Sequence, residues 1–110
     1  MNNEIIEIIK LSPFGASIGT RELGREIRDK AISFIKNDKK KVLFDFSDVH
    51  LISSAFADEL FGKLFVELGK ELFKESVKVN MFTNDEDRRV ILLIIKEALD
   101  FRNSPQNLSS

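Results

Sequence analysis

The run Lys41-Val42-Leu43-Phe44-Asp45-Phe46 constrains this chain more than any other feature. It is a short apolar stretch between the polar turn Asn37-Asp38-Lys39-Lys40 and Ser47-Asp48, which suits a central buried strand. Such a strand must be covered by other elements. Helical patterns flank it on both sides. Before it, Thr20 is an N-cap candidate with Glu22 in the first turn, and Leu23, Ile27, Ala31, Phe34 and Ile35 recur at helical spacing. These signals predict a first helix over about residues 20–36. After it, residues 47–54 read as a loop. A second helix opens near Ala55, where Phe56, Leu60, Leu64 and Leu68 repeat every four residues and Ala57, Phe61 and Leu72 widen the stripe.

The outer parts of the chain continue the alternation. Residues 4–10, Glu-Ile-Ile-Glu-Ile-Ile-Lys, read as a first strand, although the spacing of the pairs also fits a helical turn. Pro13, Gly15 and Gly19 make residues 12–19 a turn region, with Ile18 in a very short second strand. Val77, Val79 and Met81 alternate with Lys78 and Asn80 as a strand. Thr83-Asn84-Asp85-Glu86 has the capping-box pattern. It predicts a third helix over about residues 84–101, with Ile91, Ile94, Ile95, Ala98 and Leu99 inward. Gly24, Gly62 and Gly69 interrupt helical patterns, where each is expected to let a helix pack closely on the sheet. The order predicts an α/β fold, a small mostly parallel or mixed sheet with helices packed on it. One domain is expected over residues 1–102, followed by a polar tail over 103–110. In such sheets function sits at the carboxyl ends of the strands, here residues 47–54 and the start of the second helix.

With 110 residues, 43% hydrophobic and 32% charged, the chain suits one globular domain and not a disordered one. It has no cysteine, which excludes disulfides and cysteine-held zinc. The 17 basic and 18 acidic residues are spread through both halves with no basic block, so nucleic acid is not the expected partner. The start carries no basic leader. The most apolar stretch, residues 90–95, is far short of the roughly 20 residues that cross a bilayer. A soluble, cytoplasmic protein without a membrane contact is expected.

Few residues offer chemistry. The single histidine, His50, has no His-x-x-His or cysteine companion, and reads as a surface or loop-packing residue rather than a metal ligand or base. Gly15-x-x-x-Gly19 lacks the Gly-Lys-Ser/Thr ending of a phosphate loop. Ser53 and Ser54 stand before the second helix, where a hydroxyl can cap the helix or, once phosphorylated, meet its positive end. Asp58 and Glu59 suit the same helix dipole. They could also form an acidic patch that pairs with Arg21 or with a basic partner surface. As neighbours on a helix they point in different directions, which makes them a poor acid/base pair. Arg21, Arg25, Arg28 and Lys30 could bind phosphate, or form a solvated face interleaved with Glu22, Glu26 and Asp29. No enzyme, cofactor or metal is expected. An alternative reading is a small nucleotide- or Mg²⁺-binding domain or enzyme, with Asp45, Asp48, Asp58 and Glu59 holding the ion and phosphates. Another is a structural homodimer joined by Phe56, Phe61 or Phe65.

The block VLFDFSDVHLISSAFADELFG, residues 42–62, resembles the strand–loop–helix core of STAS domains, including bacterial anti-sigma factor antagonists. It is more similar still to the STAS-like family of unknown function, through Phe56-Ala57-Asp58-Glu59 and the turn Gly19-Thr20-Arg21. The resemblance covers about residues 13–100. It implies a STAS-like fold and a bacterial, cytoplasmic module of signal transduction. The implied partner is a protein, a histidine-kinase-like ATPase or an anti-sigma factor. It would be contacted by residues 47–59 and the second helix, with Asp48, His50, Ala55, Phe56, Asp58, Glu59 and Arg21 in the contact. Ser54 matches the serine that antagonists present for phosphorylation, with Ser53 as a second candidate. Ser53 stands where an acidic residue usually precedes, Ala55 where a second hydroxyl falls and Phe56 where a glycine follows. The resemblance leaves the oligomeric state open.

Overall fold

The computed structural model of the chain describes residues 5–104. In chain order these form β1 (Ile6–Lys10), a 3₁₀ turn (Ser12–Phe14), β2 (Ser17–Ile18) and α1 (Arg21–Ile32), which runs on into a π-helical turn (Ser33–Asn37). Then come β3 (Lys41–Asp45), β4 (Leu51–Ile52), α2 (residues 54–68), α3 (Lys70–Ser76), β5 (Val77–Asn80) and α4 (Asp85–Arg102). β1, β3 and β5 make a parallel three-stranded sheet with β3 in the middle. β2 and β4 pair in parallel as a separate two-stranded sheet. The fold is therefore the expected α/β arrangement of helices on a small, mostly parallel sheet.

The register divides the sheet into two faces. Glu7, Val42 and Val77 share one row, and Ile9, Phe44 and Val79 the next; both point into the core, where Val42 and Phe44 are fully buried. Phe61 meets Phe44 edge-on at 5.1 Å between ring centres, and Phe46 stacks on Phe82 at 5.3 Å. The alternate rows, Ile6 with Lys41 and Ile8 with Leu43 and Lys78, point outward. Ile6 and Ile8 are 52% and 56% exposed, and Leu43 is half-buried. The sheet is thus closed on its inner face, while on its outer face β1 and β5 expose Ile6, Ile8 and Lys78 and the central strand between them is half-buried.

α2 is one helix built from three pieces: Ser54–Ala57, a π-helical turn Asp58–Gly62, and Lys63–Leu68. The reason lies in its four-residue repeat. At 3.6 residues per turn, apolar positions spaced by four drift by about 40° per repeat. A wider i→i+5 turn takes up that drift, and Phe56, Leu60 and Leu64 all end fully buried. Four successive residues of that turn, Glu59 to Gly62, are buried.

Several expectations are corrected. The loop over 47–54 contains β4, whose two residues pair with Ser17 and Ile18 far away in the chain. The second helix does not reach Leu72: Gly69, at φ +84°, ends it, and Leu72 belongs to α3 and is 37% exposed. Of the three helical glycines, Gly24 packs helix on helix. A Cβ there would lie 3.0 Å from Glu59 Cβ and 3.2 Å from the Phe56 carbonyl oxygen of α2. Gly62 faces Arg102, and Gly69 serves the break. The cap of α4 is Asn84, whose side chain accepts from the Asp87 N–H at 2.8 Å, one residue later than the box pattern at Thr83. Thr20 caps α1 as expected, accepting from the Leu23 N–H. Asn103 and Ser104 close α4, and the rest of the expected tail, like Glu4 of the first strand, lies outside the described residues. No helix among the described residues is long and apolar enough to cross a membrane.

Candidate functional site

The segment from the end of β3 to the start of α2 is held by backbone geometry before any side chain acts. The buried Asp45 accepts from the Ser47 N–H at 2.9 Å and the Ser47 hydroxyl at 2.7 Å through one oxygen, which folds the chain back after the strand. Phe46 N–H donates to the Asn80 carbonyl, and Asp48 N–H to the Thr83 hydroxyl at 2.7 Å. Asp48 stands in the left-handed region at φ +63°, which Asp tolerates better than most residues. β4 then ties the segment to β2, and Ser53 N–H donates to the Ile18 carbonyl.

The two serines part company here. Ser53 is the cap of α2: its hydroxyl oxygen accepts from the Phe56 N–H at 3.0 Å and its proton goes to the Gly19 carbonyl at 2.7 Å. Ser54, the first residue of the helix, is exposed, and its hydroxyl has no partner among the described residues. It borders a shallow depression of about 280 Å³ with Arg21, Asp58, Glu97 and Phe101.

Asp58 and Glu59 are drawn into the structure by four cations. Arg102 grips Asp58 with two hydrogen bonds of 2.7 Å. Arg21 reaches both carboxylates, at 2.9 Å to Asp58 and 3.2 Å to Glu59. Arg28 meets Glu59 at 2.9 Å and also donates to its carbonyl, and Lys63 lies at 3.0 Å. The hydrogen bonds of Arg102, opposed by burial and aided by Arg21, bring the Asp58 carboxyl down to about 2. Burial works against an ionised Glu59, but hydrogen bonds from Arg28, Lys63 and Arg21 outweigh it and bring that carboxyl to about 2 as well. Both carboxylates stay charged and neither holds a proton to transfer.

The pairing of Arg21 with Asp58 and Glu59 that the sequence suggested is present. Other expected site residues fall differently. Phe56 is fully buried, so it supports the hinge from below and is not a surface contact. Glu59 is 6% exposed and is likewise not available as a surface acid. Asp48 is exposed, Ala55 is half-buried, and His50 is exposed with Nδ1 2.6 Å from Asp87. The basic series of α1 splits: Arg21 and Arg28 turn toward α2, while Arg25 and Lys30 face solvent. The apolar dimer patch does not form, since Phe56 and Phe61 are buried and Phe65 packs edge-on against Phe73 at 5.5 Å. Nor do Asp45, Asp48, Asp58 and Glu59 gather for Mg²⁺: Asp45 is taken by Ser47, Asp58 and Glu59 by cations, and no three His, Asp or Glu converge on one point among the described residues. Sequence reasoning missed Lys63 and Arg102. Lys63 was marked by its i,i+4 spacing from Glu59; Arg102, 44 residues from Asp58, carried no local signal.

Residues 24–87 match the family described as the STAS-like domain of unknown function (DUF4325), and the chain belongs to that family. No curated protein and no solved structure matches it. The matched span holds the hinge, Ser54, Asp58 and Glu59, together with Arg28 and Lys63.

Proposed function

We propose that this STAS-like domain is a regulatory protein-binding module of the bacterial cytoplasm, related in role to anti-sigma factor antagonists, that presents the hinge between β3 and α2 to a partner and is switched by phosphorylation at Ser54. One observation carries the reading: Ser54 displays an unengaged hydroxyl at the first turn of α2 beside Arg21, while its neighbour Ser53 is committed to the cap. Ser54, rather than Ser53, is thus the modifiable position. In this reading the domain works by binding and not by bond-making, which the pairing of Asp58 and Glu59 with arginines supports.

A phosphate on Ser54 would meet the positive end of α2 and would add close to two negative charges beside Asp58 and Glu97. Arg21, already shared between two carboxylates, is the nearest cation that such a phosphate could recruit. The surface around Asp48, His50 and Ala55 would then change charge and shape together. The partner implied by the resemblance is a histidine-kinase-like ATPase or an anti-sigma factor. Calorimetry against histidine-kinase-like ATPases encoded beside the gene is the test. Ser54→Ala should keep wild-type affinity and Ser54→Asp should lose about tenfold or more. Equal affinity of both variants would remove the switch, and failure of the wild type to bind any of them would remove the partner class.

A further inference from the structure

We propose that the outer face of the three-stranded sheet is a docking surface for an amphipathic helix whose apolar stripe is bordered by acidic residues. Parallel sheets are ordinarily covered on both faces. Here the outward rows leave Ile6 and Ile8 more than half exposed beside the half-buried Leu43, so one face of a parallel sheet meets solvent with aliphatic side chains. This face is separate from the hinge, whose surface residues lie beyond the carboxyl end of β3.

Charge identifies the occupant. The same rows carry Lys78 beside Leu43 and Lys10 at the carboxyl end of β1. The one carboxylate in those rows among the described residues is Asp45, and it is buried and bound by Ser47. An aliphatic centre framed by lysines complements a partner with an aliphatic stripe framed by Asp or Glu. A second copy placed face to face would set lysines against lysines, which disfavours self-association. The dimensions agree with a helix. Three strands about 4.8 Å apart span roughly 10 Å, close to one helix diameter, and five residues at about 3.3 Å give near 16 Å, about three helical turns.

The test titrates the full-length ¹⁵N-labelled protein with two synthetic helical peptides of about 14 residues, with leucines at i, i+3, i+4 and i+7. One carries glutamates beside the stripe, the other lysines. The acidic peptide should shift the amides of Ile6, Ile8 and Leu43 and their neighbours, and should bind about tenfold or more tightly than the basic one. Ile8→Glu should abolish those shifts while the circular dichroism spectrum stays unchanged; Ile8→Ser serves if the glutamate variant fails to fold. The double variant Lys10→Glu/Lys78→Glu should reverse the preference between the peptides. The proposal is overturned by no shift at about 1 mM peptide, by shifts confined to the hinge, or by equal binding of both peptides. It is also overturned by a sedimenting dimer that Ile8→Glu dissolves, or by binding to phosphatidylglycerol vesicles in place of the acidic peptide. None of these results depends on whether Ser54 is phosphorylated.

Discussion

The seam between α1, α2 and α4 and the outer face of the sheet are opposite in what they conceal. In the seam, Arg21, Arg28, Lys63 and Arg102 surround two carboxylates, so the acidic pair at α2 is neutralised within the molecule. On the sheet, isoleucines of the kind expected in a core are turned to water. Residue type therefore does not locate the unsatisfied surface of this molecule. Within this cluster Glu59 is buried and Arg28 is 13% exposed, so removing Glu59 strands the Arg28 charge, and such a pairing holds helices together whether or not a partner exists. An open aliphatic face has no such internal reason.

That contrast can be broken in four ways, taken from the largest effect down. Acid should act first on the seam. Both carboxyls titrate lower in the folded chain than their ordinary values, so their stabilisation is complete above the usual carboxyl range and is lost as pH falls toward about 2. Urea melts should show a loss of about 4 kcal/mol between about pH 5 and pH 2. A flat profile would mean that the seam carries no such energy. Next, Glu59→Ala strands Arg28, whose side chain is 13% exposed, and should cost about 3 kcal/mol with an unchanged denaturant slope. Ser53→Ala removes the cap of α2 and should cost about 1 kcal/mol by thermal melting, where Ser54→Ala should cost almost nothing. Ile8→Ser, on the open face, should change stability by no more than about 0.5 kcal/mol. A cost as large as that of Glu59→Ala would show that the outer face is structurally required, and the comparison would fail.

What was legible in the sequence follows from how local each signal is. Thr20, the stripe of α1 and the inward residues of α4 repeat over a few positions, and they held. The short pairing at Ile18 was visible, but its partner strand was not, because Leu51 and Ile52 look like any apolar pair in a loop. The end of α2 was hidden by a stripe that continues from Leu68 to Leu72; only Gly69 marked the break. At the candidate site, the link from Arg21 to Asp58 and Glu59 could be inferred because both ends sit at helix starts. The grips of Arg28 and Arg102, 31 and 44 residues away, depend on how three helices cross. Phe56 read as a contact for a related reason: its place beside the serine loop is a sequence fact, and its burial is a packing fact.

The wide turn Asp58–Gly62 has a consequence for chain length. An i→i+5 turn holds one residue beyond what a regular turn needs. Loss of one residue there returns α2 to ordinary winding, with Phe56 on one side and Leu64 on the other still in phase. The same deletion within the regular winding of α4 would swing everything beyond it by about 100°. α2 therefore contains a spare link, placed where Asp58 and Glu59 are aimed. Loss of one residue at this point would redirect the carboxylate pair and leave the flanking turns seated.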